Sequence, residues 1–292
     1  MSIKHPIIAL TGSSGAGTAT IKKAFEDIFR RGEYNAAFVG GDSFHRYDRI
    51  EMKKAVKEAE KEGQNLSHFG PDANLFDKLE NLFHQYSETG KGQVRKYLHN
   101  EYEAEPYEQL PGFFTPWENI PTNTDLLFYE GLHGGVVTSE VDIAQWVDLL
   151  IGVVPSVNLE WIQKIHCDVS ERGYSPKAVT RSILRRMPDY VKYITPQFTN
   201  SHINFQRVPL VDTSNPFIAR DVPNFDESLV VIRFNKYRDQ DYSYLLSMIH
   251  DSFMSRPNTL VVPGRKIAFA MQIILRPIIA EIMEKRRKVM EP

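Results

Sequence analysis

The sequence predicts an α/β layered domain with a mostly parallel sheet flanked by helices. Short, continuous apolar runs alternate with longer stretches of helical periodicity, which is how strands buried on both faces and their crossover helices read. A glycine-rich decamer, TGSSGAGTAT (11–20), directly follows the first apolar run. Acidic residues, Asp42 and Glu130, follow two others. With no repeat, low-complexity stretch or linker between the runs, the chain reads as a single domain over 1–292. The 90–123 segment, rich in proline and glycine and lacking either period, is expected to be an insertion or lid.

The elements follow in order. Residues 6–10 form a strand, the decamer a loop, and 18–31 a helix. Residues 36–39 form a second strand ending in GGDSF, followed by a charged helix over about 48–62. The runs 126–129 and 149–154 are buried strands. Further strands are expected at 208–211, 229–234 and 260–262, and helices at 245–254 and 268–288.

Composition narrows the function classes. The formal charge of −2 gives no basic excess for nucleic acid or an anionic membrane surface. A single cysteine, Cys167, allows no intrachain disulfide and fits a reducing cytoplasm. The opening MSIKHPIIAL has too short an apolar run for a signal peptide, and no stretch approaches the roughly 18 apolar residues of a membrane span.

A strand, a glycine loop and a helix form a phosphate site when backbone N–H groups and the helix N-terminus converge on an anion. The nucleotide candidates are therefore Gly12, Ser13, Ser14, Gly15, Ala16, Gly17, Thr18, Ala19 and Thr20. The loop lacks the usual lysine at Thr18 and the usual metal-binding hydroxyl at Ala19, so a plain βα turn stands beside the phosphate reading. Ligands of open α/β sheets sit at the carboxyl ends of strands, where Asp42 and Glu130 fall. One such carboxylate can take a proton from a hydroxyl and another can hold Mg²⁺; capping and turn formation are the plain alternatives. His45, Arg49 and Lys53 recur every four residues, a cationic stripe suited to a sugar phosphate if one helix carries all three. Lys164, Asp168 and Arg172 repeat that spacing and offer a substitute for the absent loop lysine; an exposed salt-bridge ladder has the same spacing.

These blocks, with FGPDAN (69–74), RKYLH (95–99), LLFYEGLHGGVV (126–137), VVPSVNLEWIQKIH (153–166), RGYSP with ILRRMPDY (172–190), and PQF with INFQRVPLVDTSNPF (196–217), resemble the proteobacterial phosphoribulokinases nearly end to end. The resemblance implies a P-loop nucleoside-kinase-like fold in which threonine at position 18 is normal. It also implies transfer of the γ-phosphoryl group of MgATP to the 1-hydroxyl of D-ribulose 5-phosphate. By resemblance, Asp42 is the base, Lys164 and Asp168 are catalytic, and Glu130, Asp168 and Asp42 serve the metal. His45, Arg49 and Arg172 would hold the sugar phosphate, with Lys53 added as a candidate from the spacing of the stripe. It further implies a homo-octamer with NADH and AMP as effectors, acting through Arg31, Arg186, Arg233 and Arg256. Two positions depart from the family. Ala19 replaces a hydroxyl expected on Mg²⁺, and Cys167 replaces an arginine, whose charge and fork of donors a thiol lacks. A related kinase for uridine or pantothenate and a catalytically impaired nucleotide-binding regulator are the alternatives.

Overall fold

The computed structural model describes residues 2–12, 18–170, 173–218, 221–237 and 239–290, without the side chains of residues 18–20. In chain order, β1 (Ile7–Gly12) leads to α1 (Thr18–Gly32), and β2 (Ala36–Gly40) passes through a 3₁₀ turn, Gly41–Phe44, to α2 (Arg49–Lys61). After α3 (Phe76–Thr89), a small ribbon pairs β3 (Gln93–Val94) with β4 (Glu118–Asn119) around α4 (Glu101–Ala104). Then come β5 (Leu126–Gly131), β6 (Leu149–Val154), α5 (Val157–Ser170), α6 (Pro176–Asp189) and α7 (Gln197–Asn200). The chain finishes with β7 (Ile203–Pro209), β8 (Ser228–Phe234), α8 (Tyr242–Met248), β9 (Phe253–Arg256), β10 (Thr259–Pro263) and α9 (Ile267–Met290).

Among the described residues, one eight-stranded sheet has the order β2-β5-β1-β6-β7-β8-β10-β9. Strands β2, β5, β1, β6 and β7 run parallel, and β8, β10 and β9 extend the sheet antiparallel. The sheet is mixed and mostly parallel, as the alternation predicts. Successive β1 side chains serve opposite faces: Ile8 and Leu10 join the core under α1 and α9, while Ile7 and Ala9 join the core under α3. Burial on both faces is why this strand reads as an unbroken apolar run.

Three expectations need correction. The predicted helix over 245–254 ends at Met248; Asp251 turns at φ 63°, and Phe253–Arg256 pairs with β10 as an edge strand. The hairpin partner lies just past Arg256, outside the window over which the helical periodicity is read. The strand expected at 208–211 is β7, which begins at Ile203 and ends at Pro209, leaving Leu210 and Val211 exposed. Its polar members disguise it: Asn204 and Arg207 are buried and hydrogen-bonded, to Ser201 and the Phe198 carbonyl and to Ser228 and the Pro223 carbonyl respectively. Finally, α2 starts at Arg49, with Asp48 as its cap, so His45 lies outside the helix.

The carboxyl ends of β1, β5 and β2 lie side by side, and buried Gln197 ties two of them together. Its Oε1 accepts from the Thr11 hydroxyl at 2.7 Å and the Gly135 N–H at 2.9 Å, and its Nε2 donates to the Leu132 carbonyl at 2.8 Å.

Candidate active site

The turn after β2 carries Asp42. It is tight because Gly41 packs against the end of β5: a Cβ at Gly41 would meet the Tyr129 hydroxyl at 2.6 Å and the Gly131 Cα at 2.8 Å. Any larger residue would push Asp42 away from the sheet edge. The Asp42 carboxylate stands between two imidazoles, with Oδ1 3.3 Å from His45 Nε2 and Oδ2 3.4 Å from His99 Nε2. Its side chain stays 43% accessible, whereas that of His45 is only 11% accessible. Burial lowers the pKa of His45, although the Asp42 charge pulls the other way. A neutral His45 orients the carboxylate without neutralising it.

Glu130 is the penultimate residue of β5, with Oε2 3.5 Å from Lys22 Nζ on α1. Burial raises the pKa of Glu130, opposed by the Lys22 charge. Asp42, Glu130, Lys22, His99 and Gly12 line one cleft of ≈ 770 Å³, whose outer wall is residues 96–107. The cleft thus begins where β1 hands over to the glycine loop. Among the described residues, no group of three or more His, Cys, Asp and Glu side chains is arranged to hold a metal alone.

The cationic stripe divides. His45 turns to Asp42, while Arg49, at the start of α2, donates Nη2–H to the His99 carbonyl at 2.9 Å and its backbone N–H to the Gly112 carbonyl at 2.9 Å. Lys53 is exposed one turn further along. The physical reason is the reciprocal cap formed by Asp48 and Glu51, which starts the helix after His45. Lys164 and Asp168 do form an i,i+4 pair on α5, at 2.6 Å, with Asp168 buried. They do not line the Asp42 cleft. Arg172 and Ser13–Gly17 lie outside the described residues, and Thr18, Ala19 and Thr20 open α1. Arg233 and Arg256 both flank Thr259 in the sheet and line one pocket of ≈ 550 Å³; Arg31 ends α1, Arg186 is on α6, and neither lines that pocket.

Sequence reasoning missed Lys22 and gave no role to His99. Lys22 is four residues beyond Thr18, one helical turn past the loop, which is a readable signal. His99 sits in RKYLH, but its meeting with Asp42 is a long-range contact that spacing does not encode.

Comparison with known proteins places this geometry in a family. Residues 7–214 match the model described as the phosphoribulokinase / uridine kinase family. Over 289 residues, covering 99% of both proteins, the chain is 61% identical to the chromosomal phosphoribulokinase of Cupriavidus necator. It is 56% identical over 287 residues to a probable phosphoribulokinase of Escherichia coli, covering 98% of this chain and 99% of that one. A solved phosphoribulokinase from Rhodobacter spheroides superposes with a TM-score of 0.91 at 52% identity, covering 98% of this chain and 100% of that one. No helix among the described residues is long and apolar enough to cross a membrane. The chain, matched from β1 onward by the family model and end to end by these relatives, belongs to the phosphoribulokinase / uridine kinase family.

Proposed function

We propose that this chain is an ATP-dependent kinase that transfers the γ-phosphoryl group to the 1-hydroxyl of D-ribulose 5-phosphate, giving ribulose 1,5-bisphosphate and ADP. The observation that carries the reading is the setting of Asp42. Its accessible carboxylate is held between His45 and His99 in a cleft that reaches Gly12, the last residue before the glycine loop. Full-length identity to relatives named phosphoribulokinase supports this acceptor over uridine.

The nucleotide phosphates rest on residues 12–20, at the N-terminus of α1. Asp42 accepts the proton of the substrate hydroxyl as its oxygen attacks the γ-phosphorus; the bond to the β-phosphate oxygen breaks and ADP departs. Lys22 in the cleft and Lys164 on α5 are the cations available to the developing negative charge. Arg49, Lys53, Arg172 and His45 hold the sugar phosphate, whose charge an uncharged acceptor lacks. Asp42 and Glu130, which line the cleft, are the residues that would hold Mg²⁺; Asp168, on α5, stands outside that cleft. Carboxylate oxygens completed by water and phosphate are the donors this ion prefers. Bound there, it would neutralise phosphate charge. The 90–123 segment serves as the lid that shields the reaction from water. Arg233 and Arg256 are the residues for an anionic effector such as NADH or AMP.

Ala19 and Cys167 favour a second reading, a nucleotide-binding regulator with impaired turnover. A coupled ADP-release assay with ribulose 5-phosphate and with uridine tests both. Turnover that depends on ribulose 5-phosphate alone supports the kinase. Uridine-dependent turnover overturns the acceptor, and ATP binding without turnover overturns the kinase in favour of the regulator.

A further inference from the structure

We propose that Arg95 is a positioning residue that locks the loop carrying Asp42 to the 90–123 segment. A single 3₁₀ turn, Gly41–Phe44, satisfies few of its own carbonyls, and those at its C-terminal end need outside donors. Arg95 supplies two of them from the ribbon: Nε donates to the Ser43 carbonyl at 2.9 Å and Nη2 to the His45 carbonyl at 2.5 Å. Its guanidinium lies over the Phe114 ring, 3.6 Å from the centroid, and 4.9 Å from the centroid of Trp117. The aromatic faces fix the plane of the fork, so its donors are aimed before they bind.

The same short segment grips the loop again. Arg95, Tyr97 and His99, at alternate positions of this segment, all turn to the loop. Tyr97 meets the His45 ring edge-on at 5.9 Å, and His99 reaches Asp42 Oδ2. On the other side the loop is held by two backbone bonds, Arg46 N–H to the Ala73 carbonyl and Leu75 N–H to the Phe44 carbonyl, both at 2.8 Å, and by the Arg46 side chain, which donates to the Asp72 and Asn74 carbonyls. Arg95 is therefore the side chain that couples the outer wall of the cleft to the backbone on either side of Phe44. Lysine keeps the charge but cannot fork to two carbonyls.

The inference rests on Asp42 being the base, so the experiment includes Asp42→Asn. Steady-state kinetics with both substrates and thermal unfolding are measured for Arg95→Met and Arg95→Lys. Both variants are expected to lose at least about 10-fold in kcat, a modest share of the general-base contribution. The KM for ATP should stay within about twofold of wild type, a split between kcat and KM that a general packing defect does not give. Wild-type kcat in both variants overturns the proposal. Full recovery in Arg95→Lys also overturns it, by reducing the role to charge. A parallel loss of kcat, ATP affinity and melting temperature overturns it as a general packing defect. If Asp42→Asn stays active, the base reading falls and this inference with it; if Asp42→Asn is inactive while Arg95→Met is normal, only the positioning role falls.

Discussion

Asp42 combines an accessible carboxylate with imidazoles on both oxygens, an arrangement that holds a base in aim while leaving it open to a substrate. Asp42→Asn should keep the fold and ATP binding but lower kcat by at least ~10²-fold, the low end for general-base catalysis; wild-type turnover in stopped-assay kinetics would remove Asp42 from the chemistry. Arg49 is tied to the His99 carbonyl, so it anchors the cleft wall. Arg49→Ala is expected to raise the KM for ribulose 5-phosphate well above any change for ATP, and equal changes in both would count against it as an acceptor residue. Ala19 tests the metal. Restoring a hydroxyl with Ala19→Ser should raise kcat/KM for MgATP by about 10- to 150-fold, the equivalent of one hydrogen bond to a charged group. An unchanged Mg²⁺ titration would show that this site does not depend on that hydroxyl. At this scale the carboxylates Asp42 and Glu130 were legible because acidic residues behind apolar runs land at one sheet edge. The condition that one helix carries His45, Arg49 and Lys53 fails at His45, and the sequence holds the reason, because Asp48 and Glu51 spell the capping box that starts the helix after it.

Among the elements, β1 and β6 meet at a buried carboxylate that gives the fold a pH dependence of its own. Asp148 Oδ2 accepts the Ile7 N–H at 2.8 Å, and the Asp148 N–H donates to the Ile7 carbonyl at 2.9 Å. Burial pushes the Asp148 pKa up to about 6, despite the opposing hydrogen bond from Ile7. A carboxyl with a raised folded-state pKa stabilises the fold below its unfolded pKa of about 3.9, and that contribution is lost as pH climbs through about 6. Asp148→Asn keeps an acceptor for Ile7 but cannot ionise. Its stability relative to wild type should therefore improve between about pH 4 and pH 7, by on the order of 2–3 kcal/mol. Denaturant unfolding at the two pH values measures this, and an identical difference at both would mean Asp148 does not ionise inside the fold. The strands were readable where both faces are apolar, as in β1, β5 and β6. Strand β9 was not, because its partner β10 lies beyond a turn and its exposed Phe253 extends the apolar pattern of α8.

At the scale of the molecule, the parallel strands bring the start of the glycine loop, the Asp42 turn and Glu130 to one edge, and residues 96–107 line the cleft beside them. The layered class was visible in composition and periodicity, as was the irregularity of the 90–123 segment. Its function in building the site was not, because RKYLH acts on a loop some fifty residues away. The central claim is that this architecture delivers a phosphoryl group to a sugar hydroxyl activated by Asp42, and ³¹P NMR of the complete reaction tests it most directly. With MgATP and ribulose 5-phosphate, the account predicts ADP together with a second sugar phosphomonoester coupled to the two C1 protons, formed by the wild-type chain and not measurably by Asp42→Asn over the same interval. Inorganic phosphate released without a sugar bisphosphate, or equal product from both proteins, would contradict it.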